Sequence, residues 1–132
     1  MSYKLKVPES DVFGEGKYTN GKGHTECAYF VQQATGAPQT TSWRAGLKVS
    51  EAKRGDIARG TAIATFNDEG KYPTDTLGYH AAVYLEHNME RILVLDQWNA
   101  QGEVLQRPIM FHRPKGTRRS NNADTFYVIE PQ

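Results

Sequence analysis

The sequence predicts an α+β fold: a single domain over residues 1–132, in which one N-terminal helix packs on an antiparallel sheet of four to six strands. This length is sufficient for one hydrophobic core without disulfide or metal support. One strong helical pattern lies near the N-terminus, and strand-like segments joined mostly by short connections follow it. A helix followed by a run of strands is typical of α+β domains.

The first segments of the chain predict a loop and then the helix. Residues 1–23 are polar and rich in glycine, so we expect loops with at most one short helix. Residues 25–35 carry apolar side chains at helical spacing, with Thr25 or His24 as the expected cap. Gly36 supplies the left-handed residue that commonly ends a helix.

Beyond the helix the pattern changes to strands. Residues 41–46 predict a short helical turn that packs Trp43 into the core. Runs rich in small, β-branched and aromatic residues, separated by turn formers, then predict five strands. These runs cover residues 61–66, 80–86, 91–98, 104–112 and 125–130. Pro108 has no backbone N–H, so its strand is expected at an edge of the sheet.

The composition argues against several classes of function. A formal net charge of +1 leaves no basic footprint for nucleic acid, and no stretch is long enough to span a membrane. Four histidines and one cysteine show no paired metal-ligand spacing, so neither a metal nor another cofactor is expected. The N-terminus lacks the apolar segment of a signal peptide, which predicts synthesis in the cytoplasm and export by another route.

Cys27 is the only cysteine and lies in the first turn of the predicted helix. There the helix dipole and free backbone N–H groups favour a thiolate, the attacking species in cysteine catalysis. His80 opens a strand at the rim of the sheet, where an imidazole is placed to act as the base for a thiol. The alternative is a structural role, since a lone cysteine is often a small buried hydrophobe.

A cysteine–histidine pair usually has a third group that orients the imidazole, and the neighbouring strand offers two candidates. One pairing register of the hairpin around Asn88 sets Gln97 opposite His80, and another sets Asp96 there. Asp96 interrupts the apolar run Ile-Leu-Val-Leu, where a carboxylate needs a partner. We therefore favour Asp96, and Gln97 remains the alternative.

Several short motifs follow one another along residues 18–99. They are Tyr18-Thr-Asn-Gly21, Glu26-Cys27-Ala-Tyr-Phe-Val-Gln, Trp43, Gly60-Thr-Ala-Ile-Ala-Thr-Phe66, Tyr79-His80-Ala-Ala-Val-Tyr-Leu and Leu95-Asp96-Gln97-Trp98-Asn99. In these motifs the chain resembles papain-like cysteine amidases of the CHAP and NlpC/P60 type. The resemblance implies a papain-like domain whose catalytic core covers about residues 18–99.

The resemblance also implies roles for individual residues. Cys27 would be the nucleophile, His80 the general base and Asp96 the orienting acid of a catalytic triad. Contacts to the oxyanion or the substrate are expected from Tyr18, Glu26, Tyr72, Gln97 and Trp98. Trp98 departs from the family pattern, because CHAP domains often carry a catalytic asparagine at that position.

The implied activity is hydrolysis of amide bonds in the peptide stems or cross-links of peptidoglycan. Small amidases without a wall-binding module resemble phage lysis enzymes and the antibacterial effectors of type VI secretion. Such an effector would act as a monomer in the periplasm of a target cell and would have a cognate immunity protein. Two alternatives stay open: a deamidase or transglutaminase-like toxin acting on proteins, and a non-catalytic binding module with a structural Cys27.

Overall fold

The computed structural model describes residues 2–131 of the chain. Within them lie two α-helices and one six-stranded antiparallel sheet, as the predicted α+β class requires. The helices are α1 (Glu9–Val12) and α2 (Cys27–Thr35), and the strands are β1 (Arg44–Lys48), β2 (Ala62–Thr65), β3 (Ala81–His87), β4 (Arg91–Asp96), β5 (Leu105–Met110) and β6 (Phe126–Glu130). The strands lie side by side in the order β1-β6-β2-β3-β4-β5.

Helix α2 packs on one face of the sheet, against β3. Its buried side chains include Cys27, Phe30, Val31 and Ala34, which form the apolar stripe that the sequence predicts. The facing strands contribute several alanines to the same core, and these small side chains let the helix approach closely. Gly36 follows in the left-handed conformation at φ 80° and ends the helix as predicted.

The predicted cap of α2 is wrong. Glu26, rather than Thr25 or His24, is the N-cap residue, and its side chain makes no capping hydrogen bond. The hydroxyl of Thr25 instead donates to the main-chain carbonyl of Trp98 (3.2 Å). No side chain therefore caps the first turn of α2, which leaves backbone N–H groups there for another acceptor.

Strand β1 is absent from the sequence prediction. The expected helical turn is limited to Thr40–Ser42, and the chain then pairs with β6 as an edge strand. Its sequence, Arg-Ala-Gly-Leu-Lys, contains no β-branched residue, so it gives no strand signal. Trp43 is fully buried as expected, and its indole N–H donates to the carbonyl of Pro38 (2.8 Å). Pro108 lies in β5, the opposite edge strand, as its missing N–H predicts.

A bulge in β3 sets the register between β3 and β4. On the side of the hairpin turn, Glu86 pairs with Leu93, whereas on the other side Tyr84 pairs with Val94. Leu85 is therefore an extra residue on β3. Because side chains alternate between the faces of a strand, this single residue decides which residues of β3 and β4 share a face.

Both predicted registers for His80 are wrong. Val83 pairs with Leu95, so the next position sets Ala82 opposite Asp96. His80 lies two residues before Ala82, and its side chain is therefore on the same face as that of Asp96 but displaced along the strand. The two side chains meet diagonally rather than directly across the pair of strands.

Candidate active site

Cys27 and His80 meet at the junction between helix α2 and the sheet. Cys27 is the first residue of α2, and His80 immediately precedes β3. Their side chains lie close enough to shift each other's pKa, and both residues are buried, with 9% and 5% of the residue exposed. The main chain of His80 is fixed by Thr65, whose hydroxyl accepts from the His80 N–H (3.0 Å) and whose N–H donates to the His80 carbonyl (2.9 Å).

Asp96 extends this pair into a chain of three side chains. Its Oδ2 lies 2.7 Å from Nε2 of His80, so Nδ1 is the ring nitrogen left to face Cys27. Asp96 is the last residue of β4 and is completely buried. Of the two orienting residues that the sequence leaves open, Asp96 is the one that contacts the imidazole.

The thiol and the imidazole shift each other's pKa. Burial raises the pKa of the Cys27 thiol, but hydrogen bonds from His80, the Ala81 N–H and the Tyr72 hydroxyl outweigh burial and leave the pKa below its ordinary value. Burial lowers the pKa of His80, but its contacts with Asp96 and Cys27 more than reverse this and raise the pKa to about 9. Both shifts favour the thiolate–imidazolium form of the pair over the neutral form.

Arg107 on β5 is a residue of the site that sequence reasoning missed. Its Nε donates to the same oxygen of Asp96 (2.6 Å), and its guanidinium lies over the ring of Trp98, 5.0 Å from the centroid. Asp96 therefore has two cationic partners, which offset the free energy of burying a carboxylate. The only signal for this contact is strand register: Leu105 pairs with Asp96, and Arg107 shares its face two residues further on.

Gln97 does not face the cleft. It is fully buried, and its Nε2 donates to the main-chain carbonyls of Tyr18 and Glu26, at 2.8 Å each. Gln97 thus connects the end of β4 to the start of α2, and the expected substrate contact is replaced by a structural one. Tyr18 is likewise buried, with its ring against Phe30, and it is not part of the lining of the cleft that contains Cys27. Glu26 is exposed and lines the cleft as expected.

The Cys27–His80 pair opens into a cleft of about 610 Å³. Tyr72 and Trp98, both predicted as substrate contacts, line this cleft together with the exposed Tyr79. The hydroxyl oxygen of Tyr72 lies 3.8 Å from the sulfur of Cys27. Burial and the neighbouring thiolate raise the pKa of Tyr72 far above its ordinary value, so its hydroxyl stays a donor.

The chemistry available at this site follows from its side chains. A thiolate next to a protonated imidazole is suited to acyl transfer through a covalent thioester. Within residues 2–131, no group of three or more His, Cys, Asp or Glu side chains is arranged to hold a metal ion. The same part of the chain contains no helix with the length and apolar character needed to cross a membrane.

Nearly the whole chain matches known proteins. The domesticated amidase effector 2 family matches residues 3–129. A type VI secretion amidase effector 2 protein from Salmonella typhi is 36% identical over 117 residues, which cover 81% of this chain and 86% of that protein. The solved structure of a type 6 secretion amidase effector 2 has a TM-score of 0.80 and 29% identity to this chain, covering 97% of it and 94% of the solved chain. These matches confirm the predicted fold class and the resemblance to amidase effectors. The chain is therefore an amidase of the domesticated amidase effector 2 family.

Proposed function

We propose that this amidase hydrolyses amide bonds in the peptides of peptidoglycan, with Cys27 as nucleophile, His80 as general acid and base, and Asp96 as the group that orients His80. The observation that carries the proposal is the placement of Cys27 beside His80 at the wall of an open cleft, with Nε2 of His80 2.7 Å from Oδ2 of the buried Asp96. Peptidoglycan as the substrate is supported by the family and by the two effector relatives.

In the first half of the reaction, the Cys27 thiolate attacks the carbonyl carbon of the amide. The sulfur electron pair forms the C–S bond, and the carbonyl π electrons move to the oxygen, which becomes an oxyanion. The backbone N–H of Cys27, in the uncapped first turn of α2, is a donor for that oxyanion. As the C–N bond breaks, the proton on Nδ1 of His80 passes to the leaving amine, and a thioester on Cys27 remains.

In the second half, neutral His80 takes a proton from a water molecule whose oxygen attacks the thioester carbon. The C–S bond then breaks, which releases the acid product and restores the thiolate and the imidazolium. Asp96 accepts the hydrogen bond from Nε2–H through both halves, so Nδ1 stays directed at the reacting atoms. Arg107 holds the same oxygen of Asp96 from the other side.

The delivery and the partners of the effector class belong to the same proposal. We expect type VI secretion to carry the enzyme into the periplasm of a target cell, where peptidoglycan lies. A cell that makes the enzyme would be protected by a cognate immunity protein, and covering the cleft around Tyr72 and Trp98 would block access to Cys27. The descriptions of both relatives as type VI secretion effectors support this delivery route.

The test is the release of soluble fragments from purified peptidoglycan. We expect Cys27→Ala and His80→Ala each to lower the rate by at least about 1,000-fold, because each removes one member of the acyl-transfer pair. The matched control is His24→Ala, which removes an exposed histidine outside the cleft and should keep the wild-type rate. Circular dichroism of each variant establishes that it is folded.

Two outcomes would contradict this proposal. Hydrolysis that persists in Cys27→Ala would exclude Cys27 as the nucleophile. Turnover of protein glutamines together with no release from peptidoglycan would favour a deamidase or transglutaminase-like activity of the same residues.

A further inference from the structure

A second cavity, of about 280 Å³, adjoins the catalytic cleft. Its lining residues are Tyr79, His80, Trp98, Arg107, Ser120 and Asn121. The first three also line the cleft that contains Cys27, so the two cavities adjoin at these side chains, and we refer to the cleft and the cavity together as the groove. The catalytic steps above use only the end that contains Cys27.

Arg107 brings a permanent positive charge to the other end of this groove. Nε is the only one of its five N–H donors with a hydrogen-bond partner within residues 2–131. Its side chain is 24% exposed, and the contact with Trp98 together with the bond to Asp96 fixes the guanidinium plane. The remaining donors are therefore held in place for an anion, and a planar guanidinium matches a carboxylate best.

The lining of the 280 Å³ cavity is positively charged, because it includes Arg107. No acidic side chain lines the 280 Å³ cavity. The buried carboxylate of Asp96 faces two cations, Arg107 and protonated His80. At the opposite end of the groove the lining includes an exposed carboxylate, Glu26, so the groove differs in charge between its two ends.

The orientation of the substrate relative to Cys27 and His80 decides which half of the substrate reaches Arg107. The leaving nitrogen must come within proton-transfer distance of His80, so the amine-side fragment extends past His80 and away from Cys27. That direction leads into the 280 Å³ cavity. We propose that Arg107 binds a free carboxylate on the amine-side fragment, which makes the enzyme selective for amides whose amine component is an amino acid with an ionised carboxyl group. This inference rests on the cysteine amidase mechanism proposed above.

The test uses paired synthetic stem peptides that differ in one group. The residue after the cleaved bond ends in a carboxylate in one peptide and in a carboxamide in the other. We expect wild-type kcat/KM to be about 10- to 100-fold higher for the carboxylate, the range for a hydrogen bond to a charged group. In Arg107→Gln we expect kcat/KM to be nearly equal for the two peptides. Arg107→Lys keeps the charge and should retain part of the preference for the carboxylate.

The ratio of kcat/KM for the carboxylate peptide to that for the carboxamide peptide separates substrate binding from damage to the catalytic triad. Arg107 also holds Asp96, so the absolute rates of Arg107 variants are expected to fall for both peptides. The matched control is Arg118→Gln, because Arg118 is an exposed cation of the neighbouring loop that does not line the cavity. We expect its ratio to equal that of the wild type, since Arg107 acts locally rather than through net charge.

A binding measurement keeps the inference independent of turnover. The amine-side fragment alone, as its carboxylate and as its carboxamide, is titrated into Cys27→Ala by calorimetry, and tighter binding of the carboxylate is expected. Equal kcat/KM for the two peptides together with equal affinity for the two fragments would overturn the carboxylate site. Absence of hydrolysis of either peptide would instead count against the proposed activity, and the titration would still decide the inference.

Discussion

Replacing Gln97 with glutamate exchanges the side-chain NH2 group for an oxygen and keeps the shape of the side chain. Gln97 is fully buried, and its Nε2 donates to the carbonyls of Tyr18 and Glu26. A carboxylate offers neither N–H. Gln97→Glu therefore removes two hydrogen bonds and leaves two carbonyl oxygens facing a buried negative charge.

We expect Gln97→Glu to lower the free energy of unfolding at pH 7 by about 3–5 kcal/mol. Each lost hydrogen bond contributes about 1 kcal/mol, and the buried carboxylate placed against the two carbonyl oxygens adds about 1–3 kcal/mol. The loss is a large part of the ~5–15 kcal/mol that stabilises a typical domain. Burial raises the pKa of the introduced carboxyl above its unfolded value of about 4.3, so the destabilisation should grow as pH rises above that value.

Urea unfolding followed by tryptophan fluorescence measures this change, at pH 7 and near pH 4. Gln101→Glu is the matched control, because the Nε2 of Gln101 also donates to two carbonyls, those of Asp96 and Glu103, at 2.8 Å each. Gln101 is only partly buried, so water replaces the lost donors and we expect a loss of about 1 kcal/mol or less. Equal losses in the two variants, or a loss below about 1 kcal/mol in Gln97→Glu, would refute the argument from burial.

Three further predictions concern the reactivity of Cys27, the pH dependence of stability and the loop before His80. Alkylation of Cys27 by iodoacetamide should stay fast below the ordinary thiol pKa of about 8.5 and should slow in His80→Ala, whereas an unchanged rate would contradict the ion pair. Because the pKa of His80 is raised from 6.5 to about 9, its contribution to stability should be complete below about pH 6.5 and lost as pH rises through about 9, which urea midpoints against pH will measure. Gly78→Ala should destabilise the fold by about 1–3 kcal/mol, because Gly78 has φ +101° and a Cβ there would lie 3.1 Å from the backbone N of Arg119. Gly21→Ala is its control, with φ +81° but no atom within 4 Å of the added Cβ, and an equal loss there would show that crowding has no effect.

The sequence predicts the elements of this fold better than the way they are paired. Helix α2 and the strands β2 to β6 follow from apolar spacing and turn residues, which are local properties. The contact between His80 and Asp96 depends on the bulge at Leu85, and nothing in the residues around Leu85 indicates an extra residue on that strand. The choice of Asp96 over Gln97 depends on a local property, because a carboxylate in an apolar run requires a partner, and its Oδ2 lies 2.7 Å from Nε2 of His80.

The residues that surround the triad are harder to predict, for the same reason. Gln97 and Arg107 act across the fold: Gln97 reaches carbonyls at the start of α2, and Arg107 reaches Asp96 from an edge strand. Neither contact has a pattern in the neighbouring sequence. Trp98 is partly predictable. Its position two residues after Asp96 predicts that it lines the cleft, whereas its contact with Arg107 is seen only in the structure.

The position of the active site also determines when activity can arise during synthesis of the protein. Gln97 meets Tyr18 across 79 positions of sequence, and Cys27 meets His80 from a different element of the fold. Contacts of such separation form only when most of the chain is ordered, since the entropy of closing the intervening loop must be overcome first. A nascent chain with α2 already made holds Cys27 as an ordinary thiol, because the base that activates it has not yet arrived. The onset of catalysis is thus tied to the long-range contacts of the fold, and an unfolded molecule is inactive.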